Sequence, residues 1–330
     1  MSTLYIDRKG SELSITSGVL NVSTPDGHGD RKLPLKYLDR VVLRSDTALS
    51  SNVLCALAEA GVNLLVLAGR GGQKIAQIYG APHNDARRRW QQILALSDPS
   101  ICNLIARGIV HAKVRRQNEV LKKIANHRLD LRKPLTDGQH RLEGILQSLK
   151  SSNDYSLDQM RGLEGAAAAL YFEAYFKAFA PALGATGRNR RPPKDPVNAV
   201  LSLSYTMLYA QASTACWSAG LDPALGALHT ISHGRAALAC DLMEPYRPAV
   251  DLWVWEQFRQ RTLRLEHFGH DGSGACLLGK AGRGYFYPAW EFVARRRQQS
   301  LIRYARSVSD FVISQSKADT WAHLSEPVFE

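Results

Sequence analysis

The sequence predicts an α+β protein, with a small β-rich domain over residues 1–82 and a larger all-α domain over residues 83–330. In the first eighty residues apolar and polar side chains alternate, and turn signals at Lys9-Gly10 and Ser17-Gly18 interrupt the alternation. After about Pro82, the apolar residues recur with the helical period of roughly 3.6 residues. This change of period places the domain boundary near residues 80–86.

The β-rich domain is expected to contain several strands and one short helix. The segments "DRVVLRS", "GVNLLVLAG" and "QKIAQIYG" have strand character. The segment "LSSNVLCALAEAG" combines a serine start, an apolar face and a terminal Gly61, which predicts a helix. The loop "GRGG" at residues 69–72 lacks the Gly-Lys-Ser/Thr ending of a phosphate-binding loop, so we expect no nucleotide site there.

Three boundary signals divide the helical domain. Asp98-Pro99 starts a long helix, and Ser156 with Gln159 forms a capping box at the start of another. Asp195-Pro196 starts a third helix, after which Gly220 marks the end. The rest of the chain is expected to be mostly helical.

The helix that begins at Asp98-Pro99 has one apolar face and a basic remainder. The apolar face contains Ile101, Leu104, Ile105 and Ile109. The basic residues on the remaining surface are Arg107, Lys113, Arg115, Arg116, Lys122 and Lys123. Such a run suits either a nucleic-acid contact or a solvated helical face, and both interpretations stay open.

Composition points to a polyanionic partner and a reducing compartment. The formal net charge is +12 and the sequence pI is about 9.6, which is typical of nucleic-acid-binding proteins and, alternatively, of proteins with a merely well-solvated basic surface. The start "MSTLYIDRKG" places charges where the apolar core of a secretory signal would lie, and we expect no membrane span. The five cysteines form no C-x-x-C pair, so the cytoplasm is the expected location.

The stretch "RGLEGAAAALYFEAYF" contains a carboxylate that needs a partner. Glu164 lies beyond the first turn of the helix that starts at Ser156, so the helix dipole does not account for it. The face that follows is apolar or small, and an isolated buried charge is too costly. Glu164 is therefore expected to be ion-paired, with Arg161 or another basic side chain, or to bind a metal ion.

A second segment, "GLDPALGALHTISHGRAALACDLMEPYRPAVD", supplies candidate partners. His229 ends a stretch of small and apolar residues, and Asp241 and Glu244 are three residues apart on a helix expected to begin near Gly234. Pro245 is expected to end or kink that helix. Carboxylates with one imidazole suit Mn²⁺ or Mg²⁺ better than structural zinc.

Segments along nearly the whole chain resemble a known family, the CRISPR-associated integrase that inserts new spacers into CRISPR arrays. They are "LYIDRKGSEL", "LAEAGVNLLVL", "RGLEGAAAALYF", "NRRPPKDPVNAVLSLSYTMLY", "GLDPALGALH", "GRAALACDLMEPYRP" and "GRGYFYPAWE". The resemblance implies an N-terminal β-domain that forms a homodimer, a helical catalytic domain, and two dimers flanking a small ferredoxin-like partner protein. It also implies that Glu164, His229 and Glu244 are catalytic metal ligands, with Asp241 as the adjacent acid of the same segment.

The resemblance further implies metal-dependent DNA strand transfer, with Mg²⁺ or Mn²⁺ as cofactor. The 3′-hydroxyl of a protospacer duplex would attack a phosphodiester of the CRISPR repeat, and related endonuclease and disintegration activities would use the same site. Two alternatives stay open: an integrase of a mobile element with the same fold, and a DNA-binding scaffold without catalysis. A plain structure-selective nuclease is a third.

Two basic segments are candidates for the DNA contact. One directly precedes the Asp195 cap and contains Arg188, Arg190, Arg191 and Lys194. The other is the helix "ARRRQQSLIRYARS", with Arg295, Arg296 and Arg303. A solvated loop and a solvated helical face are the respective alternatives. Tyr171 is expected in the core, at a position close enough in sequence to Glu164 to line the site.

Overall fold

We describe a computed structural model of the chain over residues 2–68, 74–79, 86–151, 155–190, 192–230, 232 and 234–315. The "GRGG" loop, Arg191 and most of the expected boundary at 80–86 lie outside the described residues. Within the described ranges, the chain forms two compact units. The first contains residues up to 82 together with 267–273 and 277–294, and the second contains 83–266, 274–276 and the residues from 295 onward.

The β-strands lie mainly in the N-terminal region, as predicted. They are β1 (Ser2–Ile6), β2 (Ser11–Thr16), β3 (Val19–Ser23), β4 (Arg31–Pro34), β5 (Leu38–Leu43), β6 (Thr47–Leu49), β7 (Asn63–Ala68) and β8 (Lys74–Ile78). One sheet has the order β1-β5-β7-β8, with only the β7–β8 pair antiparallel, and the other has the order β4-β3-β2-β6. Helix α1 (Ser51–Glu59) precedes β7, as its serine start and glycine end predicted.

Local sequence explains the tight turn between β2 and β3. The strands are antiparallel, and Thr16 pairs with Val19 across a two-residue turn. Both turn residues have a positive φ, 49° at Ser17 and 72° at Gly18, which matches the right-handed twist of paired strands. Leu13, Leu20 and other buried residues of these strands join Leu57 of α1 in one apolar core.

The C-terminal region is largely helical, as predicted. Its helices are α2 (Ala86–Leu96), α3 (Pro99–His127), α4 (Arg132–Ser151), α5 (Leu157–Phe176), α6 (Pro196–Ser218), α7 (Ala237–Met243), α8 (Arg247–Arg259) and α9 (Lys280–Gln315). It is not wholly helical, because β9 (Phe268–His270) and β10 (Cys276–Leu278) form a two-stranded sheet. Glycines at 269, 272 and 274 interrupt any helical pattern in this segment.

The predicted helix starts are confirmed. Asp98 caps α3 by accepting from the Ser100 amide, and Ser156 and Gln159 form both bonds of a capping box on α5. The Asp195 side chain accepts from the amide of Asn198 at the start of α6. These caps place the beginning of each helix independently of the packing around it.

Helix α6 ends in the motif that its glycine predicted. Gly220 has a φ of 76°, and the Leu221 amide donates to the Cys216 carbonyl. The chain therefore leaves α6 sharply and enters the loop that contains His229.

The central helix of the second unit is α3. It packs against α4, α5 and α8, and it also contacts the short 3₁₀ turn Glu244–Tyr246 between α7 and α8. Helix α6 packs against α7 and α8. Three segments distant in sequence, α3, α5 and the α7–α8 junction, are thereby brought to one place.

Within the described ranges, no single helix is long and apolar enough to cross a bilayer. Helices α2 and α3 reach the required length and apolarity only as a pair, and the pair is bent by 96°.

Candidate active site

The Asp241 carboxylate organises the loop that carries His229. Oδ2 accepts from the amides of Ala227 and Leu228 at 2.6 and 3.0 Å, and Oδ1 accepts from the amide of His229 at 3.0 Å. Asp241 is completely buried, so these N–H groups take the place of water around its charge. Gly226 permits the close approach, since a Cβ at this position would lie 2.8 Å from Oδ2.

Asp241 also determines the tautomer of the histidine. The Nδ1 atom of His229 lies 2.6 Å from Oδ1 of Asp241. A carboxylate can only accept, so Nδ1 carries a proton, and in the neutral imidazole the lone pair is on Nε2. Nε2 lies on the side of Glu244, 3.9 Å from Oε1. The imidazole is therefore oriented as in histidine ligands of metal ions: one ring nitrogen, here Nδ1, is held by a carboxylate, and the other, Nε2, faces Glu244.

Glu244 is a buried carboxylate between two cations. Its Oε1 lies 3.2 Å from Nε of Arg247, and its Oε2 lies 2.5 Å from Nζ of Lys113. Burial alone would raise the pKa of Glu244, but the charges of Arg247 and Lys113 outweigh it and lower the pKa to about 2. Glu244 follows the last residue of α7, and Pro245 ends the α-helix there, close to the predicted position.

Glu164 shares a cation with Glu244. Its Oε1 atom contacts Nζ of Lys113. The expected ion pair was with Arg161 or another basic side chain, and Arg161 is not the partner: it donates to the Leu228 carbonyl at 2.7 Å and pairs with Asp158 at 2.6 Å. Arg161 thus ties α5 to the loop just before His229, while Lys113 pairs with Glu164.

The position of Lys113 corrects the sequence interpretation. It was expected on the remaining surface of its helix, whereas the residue is 4% exposed and lies on the face of α3 that meets α5 and the α7–α8 junction. Arg116, from the same surface set, donates to the Pro245 carbonyl at 2.6 Å. Arg115 is exposed, as expected, and pairs with Glu119.

The three predicted ligands converge, but they do not form a ready-made metal cage. In the part of the chain that the structure describes, no group of three or more His, Cys, Asp or Glu side chains is arranged to hold a metal ion. The ammonium of Lys113 lies between Glu164 and Glu244 and occupies the position of a cation. The two carboxylates at this position, with Nε2 of His229 3.9 Å from Oε1 of Glu244, are a donor set that fits Mg²⁺ or Mn²⁺.

The guanidinium of Arg247 stacks on the ring of Tyr205. The guanidinium groups of Arg247 and Arg188 lie 4.9 and 5.5 Å from the centroid of the Tyr205 ring. The Tyr205 hydroxyl donates to buried Asp251. Burial raises the pKa of Asp251 to about 6, against the opposing effect of this hydrogen bond. Tyr171 is fully buried, and burial and the charge of Asp251 raise its pKa.

The basic segments differ in how their side chains are used. Arg188 is half-buried and donates to Asn198 Oδ1 at 2.7 Å and to Ser202 at 3.3 Å. The side chains of Arg190 and Lys194 are exposed. Arg295, Arg296 and Arg303 are exposed residues of α9.

Two residues of this site were assigned no site role from the sequence, Lys113 and Arg247. Arg247 follows Glu244 by three residues, a spacing typical of helical ion pairs, and this signal was available. Lys113 recurs with the buried residues Ile109 and Gln117 at intervals of four, so it lies on their face of the helix.

Comparison with known proteins identifies the family. The model of the family described as "CRISPR associated protein Cas1" matches residues 4–292. A CRISPR-associated endonuclease Cas1 of Thermodesulfovibrio yellowstonii is 36% identical over 297 residues, which cover 88% of this chain and 91% of that protein. Another, from Rhodospirillum rubrum, is 33% identical over 308 residues, 91% of this chain and 87% of that protein.

Solved structures share the fold. A casposase bound to integration product has a TM-score of 0.82 at 21% identity, covering 100% of this chain and 95% of that chain. A Cas1 protein from Thermotoga maritima has a TM-score of 0.81 at 19% identity, covering 94% of this chain and 97% of that chain. A Cas6-RT-Cas1–Cas2 complex has a TM-score of 0.79 at 24% identity, covering 96% of this chain and 35% of that one. The sequence matches confirm the resemblance stated above: this chain belongs to the CRISPR-associated Cas1 family.

Proposed function

We propose that this chain is the DNA-joining subunit of CRISPR adaptation, an integrase with related endonuclease and disintegration activity. The observation that carries the proposal is that Glu164 and Glu244 meet at one cation position, while Nε2 of His229 lies 3.9 Å from Oε1 of the same Glu244. The names of the curated relatives support a CRISPR endonuclease, and the casposase with its integration product supports a joining reaction on this fold.

The residues divide the chemical work by their positions. Glu164, Glu244 and Nε2 of His229 would hold Mg²⁺ or Mn²⁺, which supplies Lewis-acid polarisation of the target phosphate when it is bound. Asp241 keeps the imidazole in the tautomer that leaves Nε2 free to coordinate. Arg247, stacked on Tyr205, holds the Glu244 carboxylate in place.

The reaction exchanges one phosphodiester for another. The 3′-hydroxyl oxygen of the incoming duplex forms a bond to the target phosphorus and loses its proton. The bond from that phosphorus to the leaving oxygen of the repeat strand breaks, and that oxygen keeps the electron pair and takes up a proton. Because bond energy is conserved, no nucleotide triphosphate is required.

DNA binding and assembly are part of the same proposal. Exposed Arg190 and Lys194, Arg191 of the same segment, and Arg295, Arg296 and Arg303 of α9 contact backbone phosphates of the protospacer and the repeat. Arg188 holds the loop on α6. The β-rich domain forms the homodimer, and two dimers assemble with a small ferredoxin-like partner, consistent with the Cas1–Cas2 complex among the structural neighbours. We place the reaction in the cytoplasm.

A strand-transfer assay tests the proposal. A protospacer duplex with free 3′-hydroxyl ends is incubated with a supercoiled plasmid that carries a repeat, in Mn²⁺, Mg²⁺ or EDTA. Joining is expected only with a divalent cation, and His229→Ala abolishes it while duplex binding survives. The matched control is His140→Ala, an exposed histidine of α4, which keeps full activity. Cation-independent joining, or joining by His229→Ala at the normal rate, contradicts the proposal.

The same assay separates the alternatives. Hydrolysis without joining indicates a plain nuclease, and duplex binding with neither activity indicates a scaffold. A mobile-element integrase joins DNA without preference for the repeat, and its gene would lie apart from a repeat array.

A further inference from the structure

The Lys113 ammonium lies on the oxygen atoms that the proposed cation would use. Nζ contacts Oε1 of Glu164 and lies 2.5 Å from Oε2 of Glu244. Oxygen ligands of Mg²⁺, Mn²⁺ and Ca²⁺ lie about 2.0–2.6 Å from the metal, so the ammonium is where the metal would be. The ammonium and a metal ion cannot occupy this one position at the same time.

We propose that Lys113 is a positioning residue that competes with the divalent cation. Its ammonium bridges Glu164 and Glu244 in the metal-free protein and leaves both oxygens when the cation binds. This inference rests on the proposed function, because it concerns the same three ligands. It adds that the metal ion must displace the Lys113 ammonium, so the affinity of the site for metal depends on how strongly Lys113 binds the two carboxylates.

Lys113 is the cation that can move, and Arg247 is the one that stays. The guanidinium of Arg247 is fixed by its stack on Tyr205 and pairs with the other oxygen of Glu244, Oε1, at 3.2 Å. A lysine side chain is a flexible four-carbon stem with a single charge at its end. When Lys113 leaves, Glu244 therefore keeps one ion pair and its orientation.

Burial gives the exchange a direction. The side chains of Lys113 and Glu244 are 6% and 3% exposed, whereas that of Glu164 is 27% exposed. A cation from solvent therefore reaches the site past Glu164. Glu164 and Glu244 both contact the same ammonium, so their carboxylates lie close together. Without a cation between them, their negative charges would repel each other strongly in this buried site.

The competition lowers the apparent affinity for metal. Only molecules in which Lys113 has left the carboxylates can bind the cation, so the apparent dissociation constant increases as that fraction decreases. Removing the ammonium should therefore tighten metal binding. A purely structural salt bridge predicts the opposite, because its loss would disorder the ligands.

Mn²⁺ titration followed by the electron paramagnetic resonance signal of free Mn²⁺ tests the inference. For Lys113→Met we expect the dissociation constant of Mn²⁺ to fall about tenfold relative to the unmodified protein. Lys113→Arg, which keeps a cation, should not bind more tightly than the unmodified protein. Lys122→Met, an exposed lysine of the same helix, is the matched control and should leave the constant unchanged.

Thermal unfolding with and without Mn²⁺ gives an independent measurement. In EDTA, the melting temperature of Lys113→Met should be lower than that of the unmodified protein, and Mn²⁺ should raise it by more degrees than in the unmodified protein. Lys113→Gln replaces the methionine variant if the latter does not fold.

The outcomes separate this inference from the proposed function. Unchanged or weaker Mn²⁺ binding by the methionine and glutamine variants, with normal binding by the unmodified protein, overturns the competition and leaves the metal site intact. No Mn²⁺ binding by any form overturns both.

Discussion

The two glutamates of helix α5 carry the same charge in opposite surroundings. Glu173 is about half exposed (55%) and pairs with Arg141 at 3.1 Å and Lys177 at 3.8 Å, both on the surface. Glu164 pairs with Lys113, which is buried and is shared with a second carboxylate. The difference teaches that position within one helix decides what an acid can do: the exposed ion pairs of Glu173 contribute little to stability, whereas Glu164 shares a buried cation with a second carboxylate.

The largest expected difference between the two glutamates is in activity. Glu164→Gln should reduce strand transfer on the order of a thousandfold, because a lost metal ligand removes several kcal/mol of transition-state stabilisation. Glu173→Gln should leave the rate unchanged. The rates are compared in the plasmid joining assay at saturating Mn²⁺, and equal losses in both variants would show that the buried partner is not what distinguishes them.

Stability should also separate buried from exposed acids. Glu244→Ala leaves Lys113 and Arg247 without their shared carboxylate, and we expect a loss of about 3–5 kcal/mol in the free energy of unfolding. Glu173→Ala should cost about 1 kcal/mol or less, because both of its partners remain hydrated. Urea unfolding in EDTA measures both values. A loss below about 1 kcal/mol for Glu244→Ala would contradict the paired arrangement.

A third acid, Asp251, extends the comparison to pH. Its pKa in the folded protein is about 6, above the ordinary value of 3.8, because burial disfavours its charge. As pH rises from 4 towards 6, the unfolded chain ionises first, so stability decreases with pH in this window. The penalty above pH 6 is about 3 kcal/mol, from about two pKa units.

Asp251→Asn should remove that slope. The asparagine oxygen can still accept from Tyr205, so the packing is retained. The stability difference between the variant and the unmodified protein should grow by about 2 kcal/mol in favour of the variant between pH 4 and pH 7. Urea unfolding across this range checks it, and parallel stability curves would argue against a protonated Asp251.

The smallest expected effect concerns exposed cations. Arg190→Ala combined with Lys194→Ala should reduce the slope of log affinity for duplex DNA against log salt by about 2, one for each lost phosphate contact. Fluorescence anisotropy at several salt concentrations measures this slope. The side chain of Arg188 donates to Asn198 within the protein, so Arg188→Gln should leave the slope unchanged. A change equal to that of the double variant would place Arg188 on the DNA.

Local signals explain how much of the fold could be predicted. Helix starts at Asp98, Ser156 and Asp195 depend on bonds within three residues, and each occurs where the caps indicated. No strand was predicted at β4 or β6, whereas β1, β2 and β3 were recognisable by alternation and β5, β7 and β8 by strand-like segments. The short pair β9 and β10 was not, because three-residue strands provide too few positions to show a period.

The site was only partly predictable, because its contacts join distant segments. Glu164, His229 and Glu244 were assigned through resemblance, and their convergence depends on packing among α3, α5 and the α7–α8 junction. The pairing of Lys113 with Glu244 joins residues 131 positions apart. A helical projection of α3 would have shown the buried face of Lys113, but not which acids meet it.

The Asp241 carboxylate has a consequence for how the site tolerates sequence change. It holds the His229 loop through three consecutive main-chain amides, and main-chain N–H groups are common to every residue type except proline. The shape of the loop is thus encoded at one distant side chain and at Gly226, where a Cβ would collide. Ala227 and Leu228 are buried, so packing restricts their side chains, whereas the hydrogen bonds that position the imidazole depend only on their main chain.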